Sequence, residues 1–595
     1  MTTSSQRFNL CALPLRGRNL APHLLGVFLL GFLLIFSCYA GLPADFNADH
    51  PQNIESCESL TYGQFIKLIV NPLTPAWFYP PLTKDMGYLR PLQYFILKGC
   101  YDLFGYGMFP IHLAEAIGFG LLSLVLFLLV YGATQSLLFA WLSAILYASF
   151  PSNFVLNLSV YPTDFQYYVS ILSIASLAFL GWLTFSSSKS KGLTGIAFAG
   201  WIVTIWLAIK LKSSEKILPL VGMGFLLLRN RFILSRIGRS RYVVLIVATL
   251  AMGFLVIPIR TFDEWRKVDR ALTPKYTIAP STHKDQTTLS FSLKNMFHRT
   301  FNLGGGKFPL LSISRKEFPD SFTENYGFFL GWLFWLGFLL LPIILSRYQG
   351  IIHRLEPSMR EKKEAVQHGL ILVLVWFGFI LLGFGSGATI YDKRLLNFGY
   401  VPSVPLFFGV ASMLEQGWLG EIEGRRILFR AVLAALVIYT CVINFASFFK
   451  LVGHFAGMQD VLVRVERDLF REIYREEPNN LNLYQRHLEL ETRAVVVDWY
   501  DLPGDWFEKA QEKLRKEKKI FFYSRAADSK RLQRFREAGY PVTLWEQYHF
   551  LDARPLFFRF SKQVALKFPF LERKLAFKKG KGTEIFVYLI EERIR

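Results

Sequence analysis

The sequence predicts an α-helical multi-pass membrane protein followed by a soluble α/β domain. Three observations predict it. Of 595 residues, 52% are hydrophobic and 16% aromatic while only 19% are charged, against about a quarter charged in soluble proteins. Before about residue 448 the apolar residues gather into blocks of ~17–24, the length that crosses ~30 Å of hydrocarbon at 1.5 Å per residue. Lysine and arginine collect in the short loops between alternate blocks, as membrane orientation requires. Disorder, a disulfide scaffold and a collagen-like fibre are excluded by the same composition.

Taken in order, about eleven spans are expected, at 22–42, 109–131, 135–151, 166–186, 193–210, 216–228, 242–260, 326–345, 369–385, 400–414 and 428–448. The sixth and tenth are short. The first has an apolar run, Leu24–Ala40, longer than the 7–15 residues of a signal-peptide core, so it reads as a retained span. Arg7, Arg16 and Arg18 precede it, and Lys189 and Lys191 follow the fourth. Arg229, Arg231, Arg236, Arg239 and Arg241 separate the sixth from the seventh. Arg347, Arg354, Arg360, Lys362 and Lys363 follow the eighth, and Arg425 and Arg426 precede the last. All these loops fall on one side if the N-terminus is cytosolic. An odd number of spans then carries the C-terminal part to the other side.

The expected division is 1–448 as the membrane domain, with non-cytosolic loops at about 43–108 and 262–325, and 449–595 as the soluble domain. In the first loop, Leu60–Val70 and Pro72–Pro81 suit short helices on the membrane surface, or an ordinary folded loop. In the tail, Arg493–Asp498, Ile520–Tyr523 and Pro541–Trp545 read as strands, alternating with helices over about Asp505–Lys518 and Asp528–Ala538. That alternation predicts a small, mostly parallel sheet. No GxGxxG opens the first of these helices, so dinucleotide binding has no support.

The net charge of +22 invites a nucleic-acid reading, but no zinc spacing, Walker loop or aromatic–basic RNA-binding motif accompanies it. No nucleic-acid partner is expected. Among five cysteines, Cys38 and Cys441 fall inside apolar spans, and Cys57 and Cys100 share the first loop. Pairing of those two is left open.

Charged groups beside apolar spans are the informative ones, because burying an unpaired charge is costly. Directly after the first span come Asp45 and Asp49-His50. Two carboxylates four residues apart at a membrane–water boundary suit general-base work or a divalent ion, and equally a solvated loop. The same loop ends Tyr88-Leu89-Arg90-Pro91-Leu92, then Phe104-Gly105, then Pro110-Ile111-His112-Leu113-Ala114-Glu115. Farther on lie Lys212-Ser-Ser-Glu215-Lys216 with Leu218-Pro219, and Tyr391-Asp392-Lys393-Arg394-Leu395-Leu396 with Pro402.

Over residues ~20–415 this arrangement resembles the GT-C superfamily of membrane glycosyltransferases, in particular the branch of protein O-mannosyltransferases that use dolichyl- or polyprenyl-phosphate sugars. Members often carry an acidic motif after span one, then Arg-Pro-Leu, Phe-Gly and a His entering span two. Lys-Glu…Leu-Pro opens a middle span, and Arg-Tyr-Leu…Pro precedes a late one. Asp49 lies where the acidic motif belongs, with His50 where many relatives have a second acid, and Leu395 replaces the usual Tyr. The resemblance implies a polyprenyl-phosphate sugar as donor and a glycan, lipid or protein hydroxyl as acceptor, in the bilayer. It implies Asp49 as the catalytic base of an inverting hexosyl transfer. Arg90, Lys212 and Arg394 would hold the donor phosphate, with Asp45, His50, His112, Glu115 and Glu215 in support. A divalent cation, Mg²⁺ or Mn²⁺, is the one cofactor implied, and His50 leaves its need open.

Each residue also has a plainer reading. Arg90 anchors the loop to headgroups, Lys210, Lys212 and Lys216 snorkel from span ends, and Arg394 pairs with Asp392. Glu215 neutralises Lys212, and Glu115 satisfies His112 one turn earlier. In the second loop, Lys294, His298, Arg299 and Gly304–Lys307 suggest a mobile flap over the acceptor. A transporter of lipid-linked glycans, or a polymerase or ligase for them, is the alternative function. The compact loops and a C-terminus without a retention signal point to a bacterial inner membrane, with the C-terminal domain outside.

Overall fold

The structure is a computed structural model. It describes residues 20–40, 57, 60–70, 91–105, 109–149, 165–185, 191–212, 215, 217–256, 350, 357–385, 392–417, 423–475, 489–490, 493–497, 506–524, 527, 529–549 and 584–592. Helices dominate, as the apolar blocks predict, and a small sheet closes the chain.

The helices of the first part are α1 (Ala21–Ala40), α2 (Tyr62–Val70), α3 (Pro91–Phe104), α4 (Phe109–Thr134), α5 (Leu137–Ser149), α6 (Gln166–Phe185), α7 (Lys191–Leu211), α8 (Ile217–Leu228), α9 (Asn230–Val256), α10 (Pro357–Gly385), α11 (Asp392–Gly417) and α12 (Glu423–Tyr474). Among the described residues, three helices are long and apolar enough to cross a membrane, namely α4, α6 and α7. A fourth span results if α8 and α9, bent by 98° at their junction, count as one. The expected eleven is therefore not what these residues carry. The apolar parts of α1, α5 and α11 stop at 17 residues or fewer, too short by themselves for ~30 Å at 1.5 Å per residue. The expected span at 326–345 lies outside the described residues.

One continuous apolar core runs through α1–α12. Its outer faces carry exposed Leu25, Leu33, Val203, Val247 and Ile438, a surface that suits hydrocarbon and not water. Inside, hydroxyls satisfy themselves on the preceding turn: Thr134 donates to the Val130 carbonyl at 2.7 Å, Thr249 to Leu245 at 2.6 Å and Thr440 to Leu436 at 2.8 Å. Such back-bonding hides a polar group where no water is available. The helices α1 and α4 approach each other closely. A Cβ on Gly120 would sit 2.9 Å from the Phe28 carbonyl oxygen, and Gly31 faces Gly120 across the gap. Small residues on both sides let the two backbones meet.

The tail holds β1 (Val495–Val497), α13 (Trp506–Glu517), β2 (Lys519–Ser524), α14 (Lys530–Glu537), β3 (Val542–His549) and β4 (Glu584–Glu591). The three expected strands and two expected helices are present, but the sheet is not mostly parallel. Its order is β1-β2-β4-β3. Only β1–β2 runs parallel; β4, a strand absent from the sequence reading, enters between β2 and β3 and pairs antiparallel with both. Strand–helix alternation correctly orders the first three strands and says nothing of a late fourth.

The sheet is covered on both faces, which explains the unbroken apolar run Ile520–Tyr523. Phe521 and Tyr523 pack with Val461, Val465 and Leu469 of α12. Ile520 and Phe522 pack on the other face with Ala510 and Leu514 of α13 and Leu532 and Phe535 of α14. A strand buried on both sides needs no polar alternation. The helix α12 does not stop where its apolar run ends near 448. It continues unbroken to Tyr474, 52 residues in all, and becomes a third layer against the C-terminal sheet. Tyr548 Oη donates to Asp468 Oδ2 at 3.1 Å, and Lys519 meets Glu472 at 2.9 Å, pinning sheet to helix. Burial and the Asp468 carboxylate hold the Tyr548 phenol above its usual range.

Candidate functional site

The sequence places its candidates at four helix ends, and the structure brings those it describes to one end of the bundle. The helix α7 finishes at Leu211, and a tight turn follows: the Lys212 amide donates to Ala208 O at 2.8 Å and the Glu215 amide to Lys212 O at 3.1 Å. Then α8 starts with Ile217-Leu218-Pro219. Proline within the first turn loses nothing, because its missing N–H would have had no intrahelical partner. This turn buries both charged side chains, Lys212 at 3% and Glu215 at 4% exposure. Ser173 of α6 donates its hydroxyl to Glu215 Oε2 at 2.7 Å. A buried carboxylate three residues from a buried ammonium keeps opposite charges together, and a charge-assisted hydrogen bond adds to it.

Residues His112 and Glu115 lie one turn apart at the start of α4, the first half-buried and the second wholly buried. Tyr168 of α6 ties the two helices here, donating to Ala114 O at 2.6 Å. Below it Phe119 sits between the rings of Tyr147 and Tyr167, at 5.5 and 4.9 Å. The starts of α4 and α6, the end of α7 and the start of α8 thus share one end of the bundle.

Two helices of the first loop, α2 and α3, pack at that end. Leu60–Val70, read as a surface helix, contains α2, which buries Phe65 and exposes Ile66 and Val70. Residues 72–81 lie outside the described residues. The helix α2 pairs with α3: Tyr62 Oη donates to Asp102 Oδ2 of α3 at 2.8 Å, and Lys98 of α3 reaches the same carboxylate at 3.5 Å. Two side chains of α7 hold the C-terminus of α2: Lys210 Nζ donates to Leu68 O at 3.0 Å and Trp206 Nε1 to Ile69 O at 3.1 Å. The expectation that Lys210 snorkels to water is therefore corrected. It is 7% exposed, because the last carbonyls of α2 need donors and a cation suits the negative end of a helix. Sequence reasoning missed Trp206 and Ser173, and neither residue carries a local motif; only the packing of α7 on the first loop, and of α6 on the turn at 212–215, reveals them.

Asp45, Asp49, His50 and Arg90 lie outside the described residues. Arg394 belongs to the first turn of α11, and nothing is stated of its side chain. The flap candidates Lys294, His298, Arg299 and Gly304–Lys307 also lie outside. Cys57 and Cys100 are thiols and not a disulfide, with Cys57 Sγ 3.5 Å from the Tyr94 carbonyl. Among the described residues no three His, Cys, Asp or Glu gather to hold a metal ion.

Comparison with protein-family models and with curated proteins found no match for this chain.

Proposed function

We propose that the chain is an inverting glycosyltransferase of the membrane, moving a sugar from a polyprenyl phosphate to an acceptor hydroxyl. The observation that carries this reading is the Lys212–Glu215–Ser173 group, buried at the end of an apolar bundle beneath the first loop. A lipid-linked donor needs hydrocarbon for its tail and a cation at the membrane boundary for its phosphate, and that end of the bundle offers both.

In the proposed step Asp49 takes the proton from the acceptor hydroxyl as its oxygen attacks the anomeric carbon. The bond from that carbon to the phosphate oxygen breaks, and its electron pair leaves with the lipid phosphate. Attack from the opposite face inverts the configuration. Lys212, Arg90 and Arg394 stabilise the charge growing on the leaving phosphate, an effect greatest where water is excluded. Glu215, fixed by Ser173, orients Lys212 and keeps it soluble in the bundle. In this reading the N-terminus is cytosolic, and the active end and the tail lie outside a bacterial inner membrane.

Glu115 favours a second reading. A wholly buried acid within a spanning helix is a feature of substrate and proton pathways, and transport of lipid-linked glycans would use one.

The test is release of polyprenyl phosphate from labelled polyprenyl-phosphate sugars by purified protein. Asp49→Asn is expected to cut turnover by roughly 10²–10⁴ with donor affinity unchanged. Turnover that survives the substitution overturns the assignment of the base. Absence of donor consumption, with passage of lipid-linked glycan across vesicles that stops in Glu115→Gln, establishes the transporter instead.

A further inference from the structure

At the end of the bundle opposite Lys212, α8 turns into α9 through Arg229. Five arginines occupy residues 229–241 (229, 231, 236, 239 and 241), and no acid occurs from there to the end of α9. The first eight residues of α9 form a separate helical piece: Gly238, at φ 77° and ψ 164°, breaks the helix. That φ favours glycine, since a Cβ there is strained. The piece buries Ile233 and Ile237 against the bundle and turns Arg231 outward.

Arg229 is the centre of this hairpin. It is half-buried, its guanidinium lies 5.9 Å from the Phe232 ring, and among the described residues its polar contacts are with His368, at 3.0 and 3.2 Å. A neutral imidazole accepts at one nitrogen only, and His368 is held neutral. Burial and the charges of Arg229 and Arg236 push it down to about 3, and it stacks on Phe232 at 3.7 Å. So Arg229, a charge partly withdrawn from water, has no carboxylate partner among the described residues. Nearby, Arg236 and Arg360 share one carboxylate, Glu364, at 3.4 and 2.9 Å. Arg231, Arg239 and Arg241 are exposed and make no ion pair among the described residues. Exposed leucines and valines bracket the arginines: Leu227 and Leu228 before them, Val243 and Val244 after.

We propose that the arginine hairpin joining α8 to α9 binds the headgroup phosphate of an anionic phospholipid, with Arg229 at its centre. The exposed apolar residues one turn away lie against acyl chains, which fixes the arginines at headgroup depth. Arginine recognises phosphate oxygens bidentately, and clustered basic residues beside a span collect anionic lipid. The bond to His368 holds the Arg229 guanidinium ready without spending its charge. This site is independent of the proposed transfer reaction and lies at the other end of the bundle.

Titration of the full-length protein in neutral detergent with fluorescent phosphatidylglycerol tests it, with phosphatidylcholine and inorganic phosphate as comparisons. Saturable binding of phosphatidylglycerol is expected. It should weaken about fivefold for each of Arg231→Gln, Arg239→Gln and Arg241→Gln, from about 1 kcal/mol per basic residue near an anionic surface. Arg229→Lys should keep part of the binding and Arg229→Gln less. The three surface variants do not touch the core, so they answer even if Arg229→Gln fails to fold. Equal binding of phosphatidylcholine, full competition by inorganic phosphate at equal concentration, or unchanged binding by the triple variant would each overturn the proposal.

Discussion

Where α7 hands over to α8, a lysine and a glutamate are buried within one turn of each other and a serine hydroxyl closes on the carboxylate. Where α8 hands over to α9, the charges are nearly all positive, three of the five arginines reach the surface, and two arginines share one glutamate. The helix between them has only 12 residues, or ~18 Å of rise, so both arrangements belong to one short stretch of chain. The difference is one of solvent. Deep in apolar packing a charge persists only beside an opposite charge and a hydrogen-bond donor. At the rim a charge can stay single, because water or a headgroup completes it.

Breaking the buried end should cost most. Glu215→Ala removes a buried carboxylate that accepts from Ser173 and leaves the buried Lys212 charge three residues away uncompensated by it, for an expected loss of about 3–5 kcal/mol, read as a fall in unfolding midpoint in detergent. If Glu215→Ala behaves like a surface change, the buried end is not held together by charge. The rim should instead respond to pH. His368 is neutral when folded but protonates near 6.5 when unfolded, so the unfolded chain binds the extra proton and stability falls as pH drops from about 6.5 toward about 3. At pH 4.5 that loss is roughly 2–3 kcal/mol. His368→Asn should flatten this part of a stability-versus-pH curve, and an unchanged slope would show that other groups set it. The smallest effect belongs to α2, held against the end of α7. Lys210→Met removes one donor from the C-terminus of α2 and should cost about 1–1.5 kcal/mol. Faster backbone hydrogen exchange confined to 62–70 is the expected sign.

Legibility in the sequence follows the range of the signal. The apolar runs behind α4, α6 and α7 are visible because span length is a local property, and so is the strand Ile520–Tyr523. The strand Glu584–Glu591 carries the same kind of apolar run, Ile585–Ile590. Its place between β2 and β3 is set by contacts across more than 30 residues of intervening chain, which no local pattern reports. Lys212 and Glu215 are legible as a motif, but their burial is not: a Lys-x-x-Glu turn looks alike in water and in a bundle. Lys210 reads as a snorkelling lysine only because the carbonyls it serves lie 142 residues earlier.

The unbroken α12 has a consequence for rotation. A helix of 52 residues is ~78 Å long at 1.5 Å per residue, and each residue advances about 100° around the axis. The stretch from 449 to 460 is therefore a shaft that sets the azimuth of the sheet relative to the bundle as well as its height. One residue inserted there would swing the sheet by about a quarter turn, whereas seven would return it nearly to phase about 10 Å farther out. Whatever the tail presents to the bundle, it presents along a single bearing.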